Sequence, residues 1–214
     1  GQRRDAALRL RADLPEGEHG IEPDGRVGVL DRVGQRGDGA LAVLAHPPHG
    51  LVGLITPWNY PFLLTVGDAI PALLAGNAVL IKPSEFTPLS ASYGRSLLLE
   101  RGHDADLFTV AQGGPEIGTE LIRLVDYVAF TGGTVTGRKV ALAAADRLIP
   151  FSLELGGKNP MIVLRDAPLD EAAAALVAGA FANAGQTCIA IERVYVEAPV
   201  FDEFAALVAN NTGR

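Results

Sequence analysis

Residues 51–88 read LVGLITPWNYPFLLTVGDAIPALLAGNAVLIKPSEFTP. Two short apolar runs, Leu51–Thr56 and Ala78–Lys82, bracket a stretch with helical spacing, Phe62–Ala75, which stops at Gly76-Asn77. Short apolar runs bounded by turn residues predict strands, and Gly followed by Asn after the last apolar position predicts a helix stop. A strand, a helix and a strand in such close succession describe a crossover between parallel neighbours.

The alternation continues downstream. Pro88–Glu100 predicts a helix, Leu107–Ala111 a strand, residues 115–123 a helix and Tyr127–Thr131 a strand. A helix to about Ala145 and a strand at Leu148–Leu153 follow. The fold class is therefore α/β, a parallel-sheet, Rossmann-like domain. Beyond Gly157 the pattern restarts as strand Met161–Leu164, helix Asp170–Ala182, strand Glu192–Glu197 and helix Val200–Val208. That reads as the start of a second α/β domain, stopping before its own core closes. Upstream, residues 2–12 have helical spacing ended by Pro15. Residues 16–39 read as loop with a short strand at Val27–Leu30. The boundaries are residues 1–45 as an unassigned helix and loop, then 46–154 and 155–214.

Composition narrows the function. Among 214 residues, 18 basic against 25 acidic side chains give a net charge of −7. Non-specific nucleic-acid binding and attachment to anionic membranes both need a basic face, so neither is expected. The apolar runs are too short to span a membrane, and Ala69–Ala75 and Ala172–Ala182 are expected to be buried helices. The Arg-rich start carries Asp5 and Asp13, which speaks against a transit peptide and for an exposed basic helix. A single cysteine makes no internal disulfide and suits a reducing compartment, the cytoplasm. The chain begins without Met and ends just after a helix, and is read as a fragment.

Ligands of parallel sheets gather at the carboxyl ends of the strands, where Asn59, Lys82, Gly113, Gly132 and Glu154 are all expected. Gly132-Gly133-Thr134-Val135-Thr136-Gly137 would aim backbone N–H groups and a helix N-terminus at a phosphate, or form a plain tight turn. Lys82 and Glu85 would hold ribose hydroxyls, or form a surface ion pair. Asn59 would donate its amide to an oxyanion, or be a turn residue before a helix. Glu154 would be a general base tuned by burial, or an exposed strand-end carboxylate. Cys188, in Gly185-Gln186-Thr187-Cys188, would be a nucleophile, or an inert buried thiol. His19, His46, His49 and His103 stand apart from any cluster with ligand spacing, so no metal is assigned.

The ordered set resembles the aldehyde dehydrogenase superfamily. It comprises Thr56-Pro57-Trp58-Asn59-Tyr60-Pro61, Gly76-Asn77-Ala78, Lys82-Pro83-Ser84-Glu85, Phe130-Thr131-Gly132-Gly133, Leu153-Glu154-Leu155-Gly156-Gly157-Lys158-Asn159-Pro160 and Gly185-Gln186-Thr187-Cys188. The likeness runs from about Gly50 to the C-terminus. Gln186-Thr187-Cys188 with Ile191-Glu192-Arg193 is similar to succinate-semialdehyde dehydrogenase-like members.

The resemblance implies an NAD-binding domain at 46–154 and the N-terminal part of a catalytic domain at 155–214. It implies Cys188 as nucleophile, Glu154 as base and Asn59 as oxyanion donor, passing through a thiohemiacetal and a thioester. It also implies cofactor contacts from Thr56, Pro57, Trp58, Lys82, Ser84, Glu85, Gly113, Gly132, Gly133, Leu155 and Gly156. NAD is expected, with NADP possible, because a carboxylate at position 85 repels a 2′-phosphate. The partners implied are a small-molecule aldehyde and, in the full-length form, further copies of the same chain. Gly133 departs from the family's usual Ser. The contrasting reading is a non-catalytic nucleotide-binding remnant or inactive truncation of such an enzyme.

Overall fold

The computed structural model describes residues 29–32 and 43–213. The expected helix at 2–12 lies outside them, as does the loop expected at 16–39 apart from residues 29–32, where the short strand expected at Val27–Leu30 is found two residues later. Val29–Arg32 (β1) pairs antiparallel with Val43–His46 (β2). The rest divides between Glu154 and Leu155 into two compact units.

The first unit is built on a five-stranded sheet with spatial order β5-β4-β3-β6-β7. Its strands are Leu51–Ile55 (β3), Ala78–Lys82 (β4), Phe108–Val110 (β5), Tyr127–Gly132 (β6) and Phe151–Leu155 (β7). β3 lies at the centre, parallel to β4 from Leu51↔Ala78 to Ile55↔Lys82. On its other side it runs parallel to β6 from Val52↔Tyr127 to Ile55↔Phe130. The chain steps from β3 outwards to β4 and β5, then returns to place β6 on the opposite side of β3. The loops after β3 and β6 therefore leave in different directions, which makes their shared end a topological switch point.

Four helices connect these strands: Asp68–Leu74 (α1), Pro88–Glu100 (α2), Pro115–Leu124 (α3) and Thr134–Asp146 (α4). Val52 and Leu54 on β3, Val79 and Ile81 on β4, Phe108 and Ala69 form one core, with Ala72, Leu73 and Leu98 packed against it. On the other face β3 presents Gly53. A Cβ placed there would come within 2.4 Å of the Leu121 side chain, so only glycine lets α3 lie this close. Ile70 and Leu74 are exposed, so α1 is not the buried helix expected at Ala69–Ala75; only its Ala69, Ala72 and Leu73 stripe meets the sheet.

Two further expectations shift. The helix expected over Phe62–Ala75 enters through a π-turn, Leu63–Gly67, before α1 begins. Pro71 has no N–H for the Gly67 carbonyl and its ring crowds that position, so the preceding turn widens. The strand expected at Leu148–Leu153 starts three residues later, at Phe151. Leu148 takes a left-handed φ of 55°. The Leu148 and Ile149 N–H groups donate back to the Ala145 and Ala144 carbonyls, ending α4 in a Schellman-like turn.

The second unit consists of Asn159–Val163 (β8) parallel to Ile191–Val196 (β9), with Leu169–Phe181 (α5) and Phe201–Thr212 (α6). Val163, Ala173, Leu176 and Phe204 form its core. Phe181 is exposed, so the buried helix expected at Ala172–Ala182 is instead amphipathic in its packing.

Asn77 fastens the start of β3 to the end of α1. It is 4% exposed, accepts the Gly50 N–H at 3.0 Å and donates from Nδ2 to the Ala72 carbonyl at 2.9 Å. Asn77→Ala leaves the Gly50 N–H without its acceptor and removes one of the two hydrogen bonds to the Ala72 carbonyl, which keeps the backbone N–H of residue 77. It is expected to lower the unfolding free energy by about 1–3 kcal/mol, read as a drop in the urea midpoint with an unchanged slope.

Candidate active site

In the first unit, candidate residues collect at the carboxyl ends of the strands. Thr56 follows β3 and is buried. Its N–H donates to the Lys82 carbonyl at 3.1 Å. Its hydroxyl shares a hydrogen bond of 2.9 Å with the hydroxyl of Thr65, a fully buried residue of the π-turn. This bond ties the loop carrying Pro57, Trp58 and Asn59 to the helix entry behind it. Pro57 and Asn59 are half-buried and Trp58 is exposed.

Lys82 ends β4. It is 6% exposed, and its stem passes the small Gly118 of α3. Its ammonium donates to Glu85 Oε2 at 2.9 Å. The pair is therefore not the plain surface contact that composition allowed: the lysine is buried and the carboxylate looks outward. The hydrogen bond from Lys82 holds the Glu85 carboxyl below the usual glutamate range. Between them Ser84 is buried, and its hydroxyl accepts the Phe86 N–H at 3.3 Å.

Gly113 lies beyond β5 at φ 147°, and Gly132 closes β6. Gly133 precedes the first turn of α4 with extended backbone and no side-chain cap. A Cβ placed on Gly133 would meet no atom within 4 Å. The N-terminus of α4 therefore opens onto free space, with N–H groups of its first turn unclaimed by a cap.

Glu154 lies within β7, one residue before its end, rather than just past a strand. It is exposed, so the burial expected to tune it is not supplied by the described residues. The charge of Glu154 nevertheless reaches Asp68 at the head of α1. Loss of hydration, and then the charge of Glu154, push the Asp68 carboxyl above the ordinary aspartate value. Asp68 was missed in the sequence, although a lone carboxylate inside Leu63–Leu74 was a signal. Thr65 left none.

In the second unit, Leu155 is half-buried and Gly156 exposed. Lys158 pairs with Glu192, and Arg193 donates twice to the Lys158 carbonyl, at 2.8 and 3.1 Å. Cys188 is exposed, so it is not an inert buried thiol. It lies between a 3₁₀ turn, Ala182–Gly185, and β9. Asn159 Nδ2 donates to the Cys188 carbonyl at 2.7 Å and to the Ala190 carbonyl at 3.1 Å. Among the described residues no group of three or more His, Cys, Asp or Glu side chains could hold a metal ion.

Residues 24–214 match the family described as "Aldehyde dehydrogenase family". The chain is 54% identical over 165 residues to a protein of Mycolicibacterium smegmatis named "Putative succinate-semialdehyde dehydrogenase", with NADP(+) in its name; the match covers 77% of this chain and 32% of that protein. It is 42% identical over 174 residues to the 2-hydroxymuconic semialdehyde dehydrogenase of a Pseudomonas species, covering 79% of this chain and 36% of that one. The structure of a Mycobacterium tuberculosis aldehyde dehydrogenase complexed with NAD+ superposes with a TM-score of 0.78 at 35% identity, over 85% of this chain and 38% of that one. The chain thus spans about a third of the length of the curated relatives it matches.

The Asp68 shift has a testable sign. A carboxyl raised in the folded state favours folding below its unfolded value and opposes it as pH rises through the folded value. Asp68→Asn is therefore expected to be more stable than the wild type at neutral pH, with the advantage shrinking as pH falls through the raised folded value and gone below about pH 4. Melting temperatures of both proteins across the acid range check this; an advantage that is independent of pH contradicts it.

Proposed function

The chain belongs to the aldehyde dehydrogenase family, and on that premise we propose that it carries the cysteine chemistry of an enzyme oxidising an aldehyde to a carboxylic acid. The observation that carries the reading is Cys188. It is the single thiol of the chain, exposed, and seated in a braced loop within the family-matched stretch. An exposed thiol meets the access requirement of a nucleophile.

Cys188 Sγ adds to the carbonyl carbon, and the aldehyde oxygen gathers negative charge in the resulting thiohemiacetal. The Asn59 side-chain amide and the Cys188 backbone N–H are assigned as donors to that oxygen. When bound, a nicotinamide dinucleotide supplies the two-electron oxidation, accepting hydride from the substrate carbon. Glu154 is assigned as the base that takes a proton from water attacking the Cys188 thioester, releasing the acid and restoring the thiol. A base in this role favours hydrolysis over transfer to coenzyme A.

The residues present fit such a cofactor. Lys82 and Glu85 offer an ammonium and a carboxylate for the adenosine ribose, with Ser84 between them. The open N-terminus of α4 behind Gly132 and Gly133 suits the pyrophosphate, and Gly133 leaves space where a serine would stand. Thr56, Pro57, Trp58 and Gly113 are assigned to the same dinucleotide, as are Leu155 and Gly156. The M. smegmatis relative supports a short semialdehyde, such as succinate semialdehyde, as substrate. A cytoplasmic homo-oligomer fits the single thiol and the family.

Aldehyde-dependent NADH formation, read by its absorbance with a panel that includes succinate semialdehyde, tests the reading. Turnover is expected in the wild type and is expected to vanish in Cys188→Ser. A wild type that does not turn over, while NAD still raises its melting temperature, would mean a nucleotide-binding protein without the chemistry.

Glu85 sets the expected preference for NAD over NADP, by placing negative charge where a 2′-phosphate would lie. Glu85→Gln is expected to raise kcat/KM with NADP relative to NAD by about fivefold, the worth of one like-charge contact in water. An unchanged ratio would exclude Glu85 as the selecting group.

A further inference from the structure

The Cys188 loop is shaped by constraints that the reaction scheme does not use. Upstream, Asn183, Ala184 and Gly185 take left-handed φ values of 52°, 57° and 76° in succession. For the two non-glycine residues this costs about 1–2 kcal/mol each, so the surroundings must hold the segment in place. Downstream, β8 and β9 pair in parallel with an irregularity between Asn159 and Pro160: Asn159 stands opposite Ile191 and Pro160 opposite Arg193. Pro160 has no N–H to give to the ladder. The carbonyls that approach this break, Cys188 and Ala190, are met by the two hydrogens of the Asn159 amide at 2.7 and 3.1 Å. Asn159 is itself held, because Arg193 of β9 grips the carbonyl of the preceding Lys158 with two hydrogen bonds.

Both peptide planes that flank Cys188 are thereby fixed. The Thr187 carbonyl, in the plane that carries the Cys188 N–H, accepts the Ala190 N–H at 3.1 Å. The Cys188 carbonyl, in the next plane, accepts Asn159. We propose that Asn159 is a positioning residue for the reaction: its amide clamps the Cys188–Ala190 backbone, and so sets the direction of the Cys188 thiol and N–H. The inference rests on the reading of Cys188 as nucleophile.

The test uses Asn159→Asp, which keeps the shape and removes both donors, beside Asn159→Ala. Hydrogen exchange followed by mass spectrometry reads the backbone directly. Amides in peptides covering residues 183–191 are expected to exchange about tenfold faster in both variants, with α5 and α6 unchanged. In turnover, kcat is expected to fall about tenfold or more while KM stays within about twofold, the pattern of a misaimed nucleophile. Unchanged exchange in the folded variants overturns the clamp. Faster exchange with unchanged kcat overturns its role in positioning. A wild type without turnover would instead sink the reading of function, and the exchange result would still decide whether Asn159 holds the loop.

Discussion

The first unit depends on the pairing of β3 on both of its edges. Every backbone donor and acceptor of a central strand must be met, and here β4 meets one edge and β6 the other. Because β6 returns to the side opposite β4, the chain after β3 and the chain after β6 separate at one end of the sheet. That separation gives Thr56 through Asn59 and Gly132-Gly133 their common address. Gly53 is the local condition for it. Without a side chain at that point α3 approaches β3 closely, and its first turn comes near the stem of Lys82.

Lys82 shows how the site's electrostatics follow from packing. An ammonium withdrawn from water costs several kcal/mol unless it is paired. Its position is fixed by β4, whose buried residues carry it inward, so the counter-charge has to come from the next turn of chain. Glu85 supplies it while keeping half of its own surface in solvent. The pair thus presents a carboxylate outward whose charge is secured by a buried partner. That is a different object from two flexible surface groups that meet by chance.

Much of this was legible in the sequence because it rests on periodicity and turn chemistry. β4 and α2 have the bounds that their residues announce, since Gly76-Asn77 and Thr87-Pro88 punctuate them sharply. The parallel pairing of β5, β4, β3 and β6 followed from strand and helix lengths alone. The misses have physical causes. Leu148 reads as the first residue of a strand because it is apolar and precedes Ile149, but the α4 carbonyls claim its N–H first. Pro71 hides in an apolar helical run, and its effect falls on the turn before it. Thr65 pairs with Thr56 through a fold-back that spacing does not reveal. Asn159 stands in the run Leu153–Pro160, and its two acceptors lie some thirty residues away in sequence, beyond the reach of local pattern.

The nucleophile loop joins these themes. A left-handed stretch in ordinary residues is unstable by itself, and it stands only a few residues before Cys188. Left-handed backbone here turns the chain sharply out of α5, which a helix end followed directly by β9 would not do. The cost of that turn has to be offset where the chain rejoins regular structure. Parallel pairing would normally do this through ladder bonds, but Pro160 withholds the donor at that register. A side-chain amide with two hydrogens is the smallest group that can serve two carbonyls at once, and asparagine is short enough to do so from the strand itself. The proline and the asparagine therefore form one device: the first breaks the ladder, and the second rebuilds it around the cysteine with a rigidity that backbone pairing alone would have spread along the strand.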